Sequence, residues 1–494
     1  MEKYILALDQ GTTSSRAIIF DKLGHKIMMA SREVHCLYPK EGYVEVNAME
    51  IYISIVDVTN EVLIKSGLSW NQIAAIGITN QRETTIVWDK ETGQPVYNAI
   101  VWQSRQSADI CASYNKQKDL IHKKTGLLLN PYFSASKIRF ILDHIKDGQK
   151  RAENGELLFG TVDSWLIYKM SNNKKHLTDV SNASRTMLFN IHTLKWDNQL
   201  LKLFNIPKSM LPKVCESSYD FGVASSFKCN VHILSVVGDQ QASLFGHNCF
   251  KEGQSKNTYG TGCFMLMNIG DKPILSKCGL LTTVAWSVNK KVCYALEGSV
   301  FIGGAAIQWL RDGLKIISDA SDSEHQAKKV TSSEGVYLIP AFVGLGTPYW
   351  DDDVKGALFG ITRATTRAHI VRATLESIAF QSKEVFELME KESNIKIESL
   401  QVDGGATANN ILMQFQSDIL HLNVYKPECL ETTALGAAYL AGLKCGFWKD
   451  INDISESHKY ETVYKPIMDT EEANKRYNMY KLAVQATMVF KEKK

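Results

Sequence analysis

The sequence predicts an α/β protein of two domains built on a duplicated core. Three observations carry that prediction. A strand–turn–strand unit occurs twice, as "YILALDQGTTSSRAIIFD" at residues 4–21 and "SKNTYGTGCFMLMNIG" at residues 255–270, each with a turn of Gly and Thr between apolar runs. Each unit is followed by further strands and then by apolar residues at helical spacing. The chain, at 494 residues, is longer than one hydrophobic core normally organises, yet no Pro-rich or Gly/Ser-rich linker divides it. The domain boundary is therefore expected to be a close-packed hinge and not a tether.

Taken in order, strands are expected at 4–8, 17–20 and 26–35, with turns at Gly11 and at "DKLGH". A helix follows at 49–65, although β-branched residues weaken its local preference. Residues 73–79 and 84–88 return to strand. In the second half, strands are expected at 281–288 and 292–297 and a helix over 302–312. Beyond these come a helix at 367–391, a strand at 400–403 and helices at 409–420 and 434–443. The terminal "FKEKK", residues 490–494, reads as a solvated helix end.

Composition narrows the function by exclusion. A formal charge of +3 gives no electrostatic reason to expect nucleic acid or an anionic membrane as partner. The ten cysteines form no C-x-x-C and have no zinc-ligand spacing, and Met1 is followed by polar residues instead of an apolar leader. The expectation is a cytoplasmic protein with free thiols and no membrane insertion. Neither G-x-x-x-x-G-K-[ST] nor a G-x-G-x-x-G after a strand occurs, so P-loop and dinucleotide-binding readings lose their main support.

The turns carry the chemistry. Asp9 ends an apolar strand, where a carboxylate must meet water, a cation or a donor. Gly11 lets the turn close and its N–H groups face outward; Thr12, Thr13 and Ser14 add hydroxyls, and Arg16 adds a guanidinium suited to phosphate oxygens. Mg²⁺ beside Asp9 would complete a polyphosphate site. An ordinary hairpin turn would use several of the same residues. "TYGTG", residues 258–262, is a second such turn, and the two can clamp a triphosphate from opposite sides. "VDGGATANN", residues 402–410, places paired glycines between a strand and a helix, which suits either a simple turn or close approach to a flat ligand. Asp239 follows the apolar run "ILSVVG", so it is open to two roles, helix N-cap or general base.

These residues resemble a known family. "LDQGTTSSRAIIFD", "TYGTG" and "VDGGATANN" look like the two phosphate loops and the adenosine motif of the FGGY carbohydrate kinases, whose fold is the two-domain actin-like ATPase (ribonuclease H-like) fold with a deep interdomain cleft. "ITNQRETTIVWD", "NPYFSASKIRFILDH" and "GDQQASLFG" place the resemblance in the glycerol kinase branch, and it extends to about Trp448. It implies an N-terminal domain over 1–252 and a C-terminal domain over 253–494. The activity implied is Mg²⁺-dependent transfer of the ATP γ-phosphate to glycerol, the first step of glycerol utilisation, by a homodimer or tetramer. Residue by residue, it assigns glycerol contacts to Thr12, Arg82, Glu83, Trp102, Tyr132, Asp239, Gln240 and Phe264, with Asp239 as base. It assigns ATP contacts to Thr12, Thr13, Ser14, Arg16, Thr261, Gly304, Gln308, Gly405 and Asn409, and makes Asp9 a catalytic residue that holds Mg²⁺ through water.

The physical reading of those residues agrees. Arg82 can only donate and Glu83 can only accept, so the pair can address both sides of a hydroxyl. Trp102 and Phe264 can hold a carbon chain, although an aromatic is more often core. Two departures stand out. Phe140 occupies a position that is Trp in the family signature. The segment 222–235, "GVASSFKCNVHILS", lacks the Gly-rich basic loop of members inhibited by fructose 1,6-bisphosphate, and its His232, a position open to phosphorylation in some Gram-positive relatives, reads here as a structural or surface residue. Other polyol or pentulose kinases, and a filament-forming actin-like ATP-binding protein, remain the alternatives.

Overall fold

The structure is a computed structural model that describes residues 2–172, 174–351 and 353–490. Of the expected solvated terminus, residues 491–494 lie outside the described residues.

Two mixed sheets form the framework. The first contains β1 (Tyr4–Gln10), β2 (Ser14–Phe20), β3 (Lys26–Glu33), β4 (Ile73–Asn80), β5 (Ser218–Val223) and β6 (His232–Gly238), in the order β5-β6-β4-β1-β2-β3. The second contains β7 (Gln254–Tyr259), β8 (Cys263–Asn268), β9 (Leu281–Val288), β10 (Lys291–Val300), β11 (Ser399–Asp403), β12 (Val424–Pro427) and β13 (Tyr460–Tyr464), in the order β9-β10-β8-β7-β11-β12-β13. In each, three antiparallel strands run β3-β2-β1 or β10-β8-β7, and two more continue parallel to the first strand as β4-β6 or β11-β12. Each parallel set ends on an antiparallel edge strand, β5 or β13. The duplication expected from two hairpins thus extends to whole sheets.

Local rules account for the covering helices. Helix α1 (Ala48–Ser66) starts at Asn47, whose side chain accepts from the Met49 N–H, and stops at Gly67 with φ 68°. Ile51, Ile55, Val58 and Val62 form its buried stripe, which overrides the weak propensity of its β-branched residues. The expected strand at 84–88 begins later, at Ile86, because the Thr84 hydroxyl turns to Gln81 Oε1 at 2.8 Å and Thr85 bridges to Ile100. Helices α2 (Ser134–His144), α3 (Asp239–Gly246), α4 (Gly304–Asp312), α5 (Arg367–Ser393), α6 (Asn410–Leu420) and α7 (Thr432–Cys445) complete the elements around the cleft. Phe140 on α2 is buried and stacks on His144 with centroids 3.8 Å apart, so that signature position serves the core.

The halves are interleaved at the hinge. Helix α7 lies between β12 and β13 of the second sheet in sequence but packs on β1, β4 and β6 of the first, where Ser235 Oγ donates to the Ala437 carbonyl at 2.6 Å. It crosses α3 through two glycines. A Cβ on Gly436 would lie 1.9 Å from the Ala242 carbonyl oxygen, and one on Gly246 2.0 Å from that of Thr432. Only glycine permits this backbone-to-backbone approach. Among the described residues no helix is long and apolar enough to cross a membrane, and all ten cysteines are unpaired.

Candidate active site

Parallel strands deliver their C-terminal ends to one edge, where α/β sheets usually bind ligands. Asp9 and Gln10 of β1 lie beside Thr79 and Asn80 of β4, and Asn80 lies beside Gly238 of β6. In the second sheet Thr258 pairs with Asp403. The first turn closes with Gly11 N–H on the Ser14 carbonyl at 2.8 Å, which sets Asp9 opposite Arg16 across the hairpin. Burial pushes the Asp9 carboxyl up to about 7; Arg16 pulls it back, and the nearby Asp239 pushes it further. Arg16 itself reaches Glu431 at 3.1 Å, just before α7. Thr13 is exposed and Ser14 half-buried, while the Thr12 hydroxyl accepts from Trp102 Nε1 at 2.8 Å.

Beyond β4 lies a buried ionic network. Arg82 forks onto Glu297 at 2.6 and 2.9 Å, and its Nε lies 3.3 Å from Asp239 Oδ1. Arg185 donates to Glu83 Oε1 at 2.6 Å and to Glu297 Oε1 at 3.0 Å. Arg82, Glu83, Arg185 and Glu297 are each at most 3% exposed. The expected Arg82–Glu83 pair therefore exists as an alternating chain, since a buried charge needs an opposite one in contact. Burial pushes the Glu297 carboxyl up, but Arg185 and Arg82 outweigh it and bring it down to about 2. Glu83 occupies the left-handed region, with φ 61°. That conformation costs a non-glycine residue roughly 1–2 kcal/mol. Its carbonyl is held by Thr85 Oγ1 at 3.0 Å and Ser134 Oγ at 3.1 Å. Glu83 Oε2 and Arg185 Nη1 remain as one acceptor and one donor, buried and without a partner.

Around this network sit the other expected alcohol contacts. Trp102 and Tyr132 meet edge-on at 5.4 Å, and burial pushes the Tyr132 phenol well up. Phe264 on β8 is half-buried and pairs in register with Thr258 and Ser299. Asp239 is the first residue of α3 and accepts from the Gln240 N–H at 2.7 Å, while Gly238 takes the cap position. The cap role left open for Asp239 is therefore filled by its neighbour, and its carboxylate faces Arg82. Burial pushes that carboxyl up, and Arg82 and Lys256 oppose the push. Lys256 Nζ, also buried, binds Gln240 Oε1 and donates to Thr258 Oγ1 at 2.8 Å.

The second turn borders a cavity of about 270 Å³ lined by Thr261, Gly304, Gln308 and Gly405, all expected, together with Tyr259, Gly260, Ile307, Arg311, Ala320 and Ala406. The Thr261 carbonyl accepts from Gly303 and Ala305, and the Gly260 carbonyl from Gly304 at 2.9 Å, so the turn seats the start of α4. A Cβ on Gly405 would meet nothing within 4 Å, which leaves one wall open. Asn409 does not line this cavity. Its Oδ1 caps α6 through the Leu412 N–H at 3.0 Å and its Nδ2 donates to Ser323 at 3.1 Å.

Sequence reasoning did not single out Arg185, Glu297, Lys256 or Lys137. Glu297 had a usable signal, a lone carboxylate inside the apolar run of β10. Arg185 and Lys256 lie in polar stretches and had none. For a metal, no group of three or more His, Cys, Asp or Glu side chains suited to one ion occurs among the described residues. The single strand-end carboxylate of Asp9, raised by burial and relieved by positive charge, fits a hard cation whose remaining ligands are phosphate oxygens and water.

Comparison with known proteins identifies the family. Residues 4–246 match the N-terminal domain, and residues 255–445 the C-terminal domain, of the FGGY family of carbohydrate kinases. The chain is 58% identical to a glycerol kinase of Geobacillus sp. (strain WCH70) and 56% identical to that of Bacillus subtilis (strain 168), covering 99% of this chain and 100% of each relative. The crystal structure of Plasmodium falciparum glycerol kinase with ADP superposes with a TM-score of 0.93 at 35% identity, covering 98% of both chains. A xylulose kinase from Lactobacillus acidophilus, 21% identical with a TM-score of 0.88 over 99% of both chains, shares the fold.

Proposed function

The chain belongs to the FGGY family of carbohydrate kinases, and we propose that it transfers the γ-phosphoryl group of ATP to the terminal hydroxyl of glycerol, giving sn-glycerol 3-phosphate and ADP. The observation that carries this reading is Asp239, a carboxylate on the seam between the sheets, held by Arg82 at 3.3 Å beside unpartnered polar atoms of Glu83 and Arg185.

The reaction needs positioning and charge compensation more than covalent help, because the transferring phosphoryl group passes through a loose, charged transition state. Asp239 accepts the hydroxyl proton while the alcohol oxygen forms its bond to the γ-phosphorus and the bond to the ADP oxygen breaks. The base must be ionised. Burial opposes that, and Arg82 and Lys256 restore it. Activity therefore falls as pH drops through the Asp239 pKa, which lies above the ordinary aspartate value.

Glu83, Arg82, Tyr132 and Gln240 address the alcohol's hydroxyls, and Trp102 and Phe264 flank its carbons. A smaller alcohol would leave some of those polar groups unpaired, which gives specificity. Thr12, Thr13, Ser14 and Arg16 hold phosphates from one side and Thr261 from the other. Gly304, Gln308 and Gly405 form the nucleoside cavity, and Asn409 supports it from the start of α6. Asp9 would hold Mg²⁺ through water, and the ion would supply neutralisation of phosphate charge. Closure of the cleft excludes water as a competing acceptor.

The domain boundary falls between residues 252 and 253; support comes from the sheets, whose strands end at Gly238 and resume at Gln254. A homodimer or tetramer in the cytoplasm is the assembly and location that the family resemblance supports, and light scattering on the purified chain tests the first. The substrate assignment is tested by a panel of glycerol, dihydroxyacetone, xylulose and erythritol. Glycerol should give the highest kcat/KM, and a preference for xylulose would replace the assignment.

A further inference from the structure

Lys137 lies on α2, is 0% exposed, and pairs with no carboxylate among the described residues. Its Nζ donates to the Tyr132 carbonyl at 2.6 Å and lies 3.4 Å from the Trp102 carbonyl and 3.5 Å from that of Glu83. Those three residues sit on three separate stretches of chain, after β4, after the short strand Ala99–Ile100, and before α2. They share one feature, a place on the alcohol side of the site.

The chemistry of the match is specific. An ammonium has three donors and no acceptor, and here three carbonyl oxygens surround it. A buried amine is unfavourable in a core unless its donors are used. Burial opposes the charge and the nearby Glu83 carboxylate favours it, so an apolar side chain would fill this place more easily if filling were its only task. The three held residues are also coupled to one another. Trp102 meets Tyr132 edge-on at 5.4 Å and donates to Thr12, and Glu83 is held at φ 61° with its carboxylate on Arg185. A shift of any one carbonyl moves a wall of the pocket.

We propose that Lys137 is a positioning residue for the alcohol site, its ammonium fixing the three backbones that carry Glu83, Trp102 and Tyr132 so that carboxylate, indole and phenol meet a single glycerol. The proposal rests on the glycerol reading above. It differs from a purely structural role in one readout. A structural lysine, once replaced, lowers the melting temperature and leaves the KM of the folded enzyme alone. A positioning lysine changes the KM for glycerol and spares that for ATP.

The test uses the full chain as wild type, Lys137→Met and Lys137→Gln, with melting temperatures and steady-state kinetics in which glycerol and ATP are varied separately. Lys137→Met should raise the glycerol KM about 10- to 100-fold, with the ATP KM within about twofold of wild type. Lys137→Gln keeps a donor and should fall between Met and wild type. A folded variant of either kind with a wild-type glycerol KM overturns the proposal, as does an equal rise in both KM values. Failure of both variants to fold assigns Lys137 to the fold and also overturns it. A wild-type enzyme whose ADP release ignores glycerol removes the glycerol reading itself and the proposal with it, whereas a glycerol-dependent wild type beside unaffected variants removes the proposal alone.

Discussion

The two hairpins occupy equivalent places in matching sheets, yet they present opposite surfaces to the cleft. The first carries Asp9 and Arg16 across from each other and leads into a network of arginines and carboxylates that is almost wholly buried. The second, with Gly260, Thr261 and Gly262, carries no charge, and its Thr261 is exposed beside the exposed Gln308 and Gly405. A small alcohol presents only hydroxyls, so its site must hold fixed donors and acceptors away from water. A nucleotide brings its own charge and a flat base, so its site needs space, backbone and glycine. The same scaffold thus divides into a closed alcohol side, dense in buried charge, and an open nucleoside side whose cavity is lined mostly by uncharged residues, with Arg311 as its one cation among the described residues.

The sharpest way to break this comparison is to remove the base from the charged side. Asp239→Asn should lower kcat by about 10²- to 10⁴-fold while leaving the ATP KM near its original value. Single-turnover kinetics on folded enzyme will read this directly, and a near-normal kcat would end the assignment.

Next in size is the support for that network. Glu297→Gln leaves Arg82 and Arg185 buried without their shared counter-charge and should cost about 3–5 kcal/mol of stability. Because Glu297 is depressed to about 2 from an ordinary 4.5, its contribution is complete above 4.5 and disappears as pH falls toward 2. Urea titrations at several acid pH values should show that loss in the wild type and a flatter profile in the variant.

The open side should fail differently. A Cβ on Gly304 would lie 2.7 Å from the Gly260 carbonyl oxygen. Gly304→Ala should therefore raise the ATP KM by about tenfold, through roughly 1–3 kcal/mol of overpacking, and leave the glycerol KM unchanged. A change in the glycerol KM alone would contradict the division of the cleft. Smaller still is the ion pair between Arg16 and Glu431, whose side chains are 41% and 21% exposed. Glu431→Gln should alter stability by no more than about 1 kcal/mol. At the far end of the scale, fructose 1,6-bisphosphate should not inhibit, because residues 225–228 form a tight turn with Lys228 as the cation there. Micromolar inhibition in a purified assay would overturn this expectation.

Much of this organisation was legible in the sequence. The two hairpins announced the duplication because apolar runs broken by Gly and Thr identify themselves over a few residues. Asp239 and the glycines of the second turn were visible for the same local reason. The ionic network was not, since Arg82, Glu83, Arg185 and Glu297 meet only when both sheets are assembled, and pairings over such separations leave no local pattern. The α3–α7 crossing was hidden too. Gly246 and Gly436 look like ordinary helix residues until each is seen against the other's backbone. Asn409 illustrates the converse, a residue whose motif suggested the nucleotide while its hydrogen bonds go to the cap of α6 and to Ser323.

An alcohol held on the closed side receives the phosphoryl group of a nucleotide whose nucleoside lies on the open side. A coupled assay of ADP release by the purified chain with ATP and magnesium, with and without glycerol, tests it most directly. ADP should appear only with glycerol and in equal amount to sn-glycerol 3-phosphate. ADP release at the same rate without glycerol would contradict it.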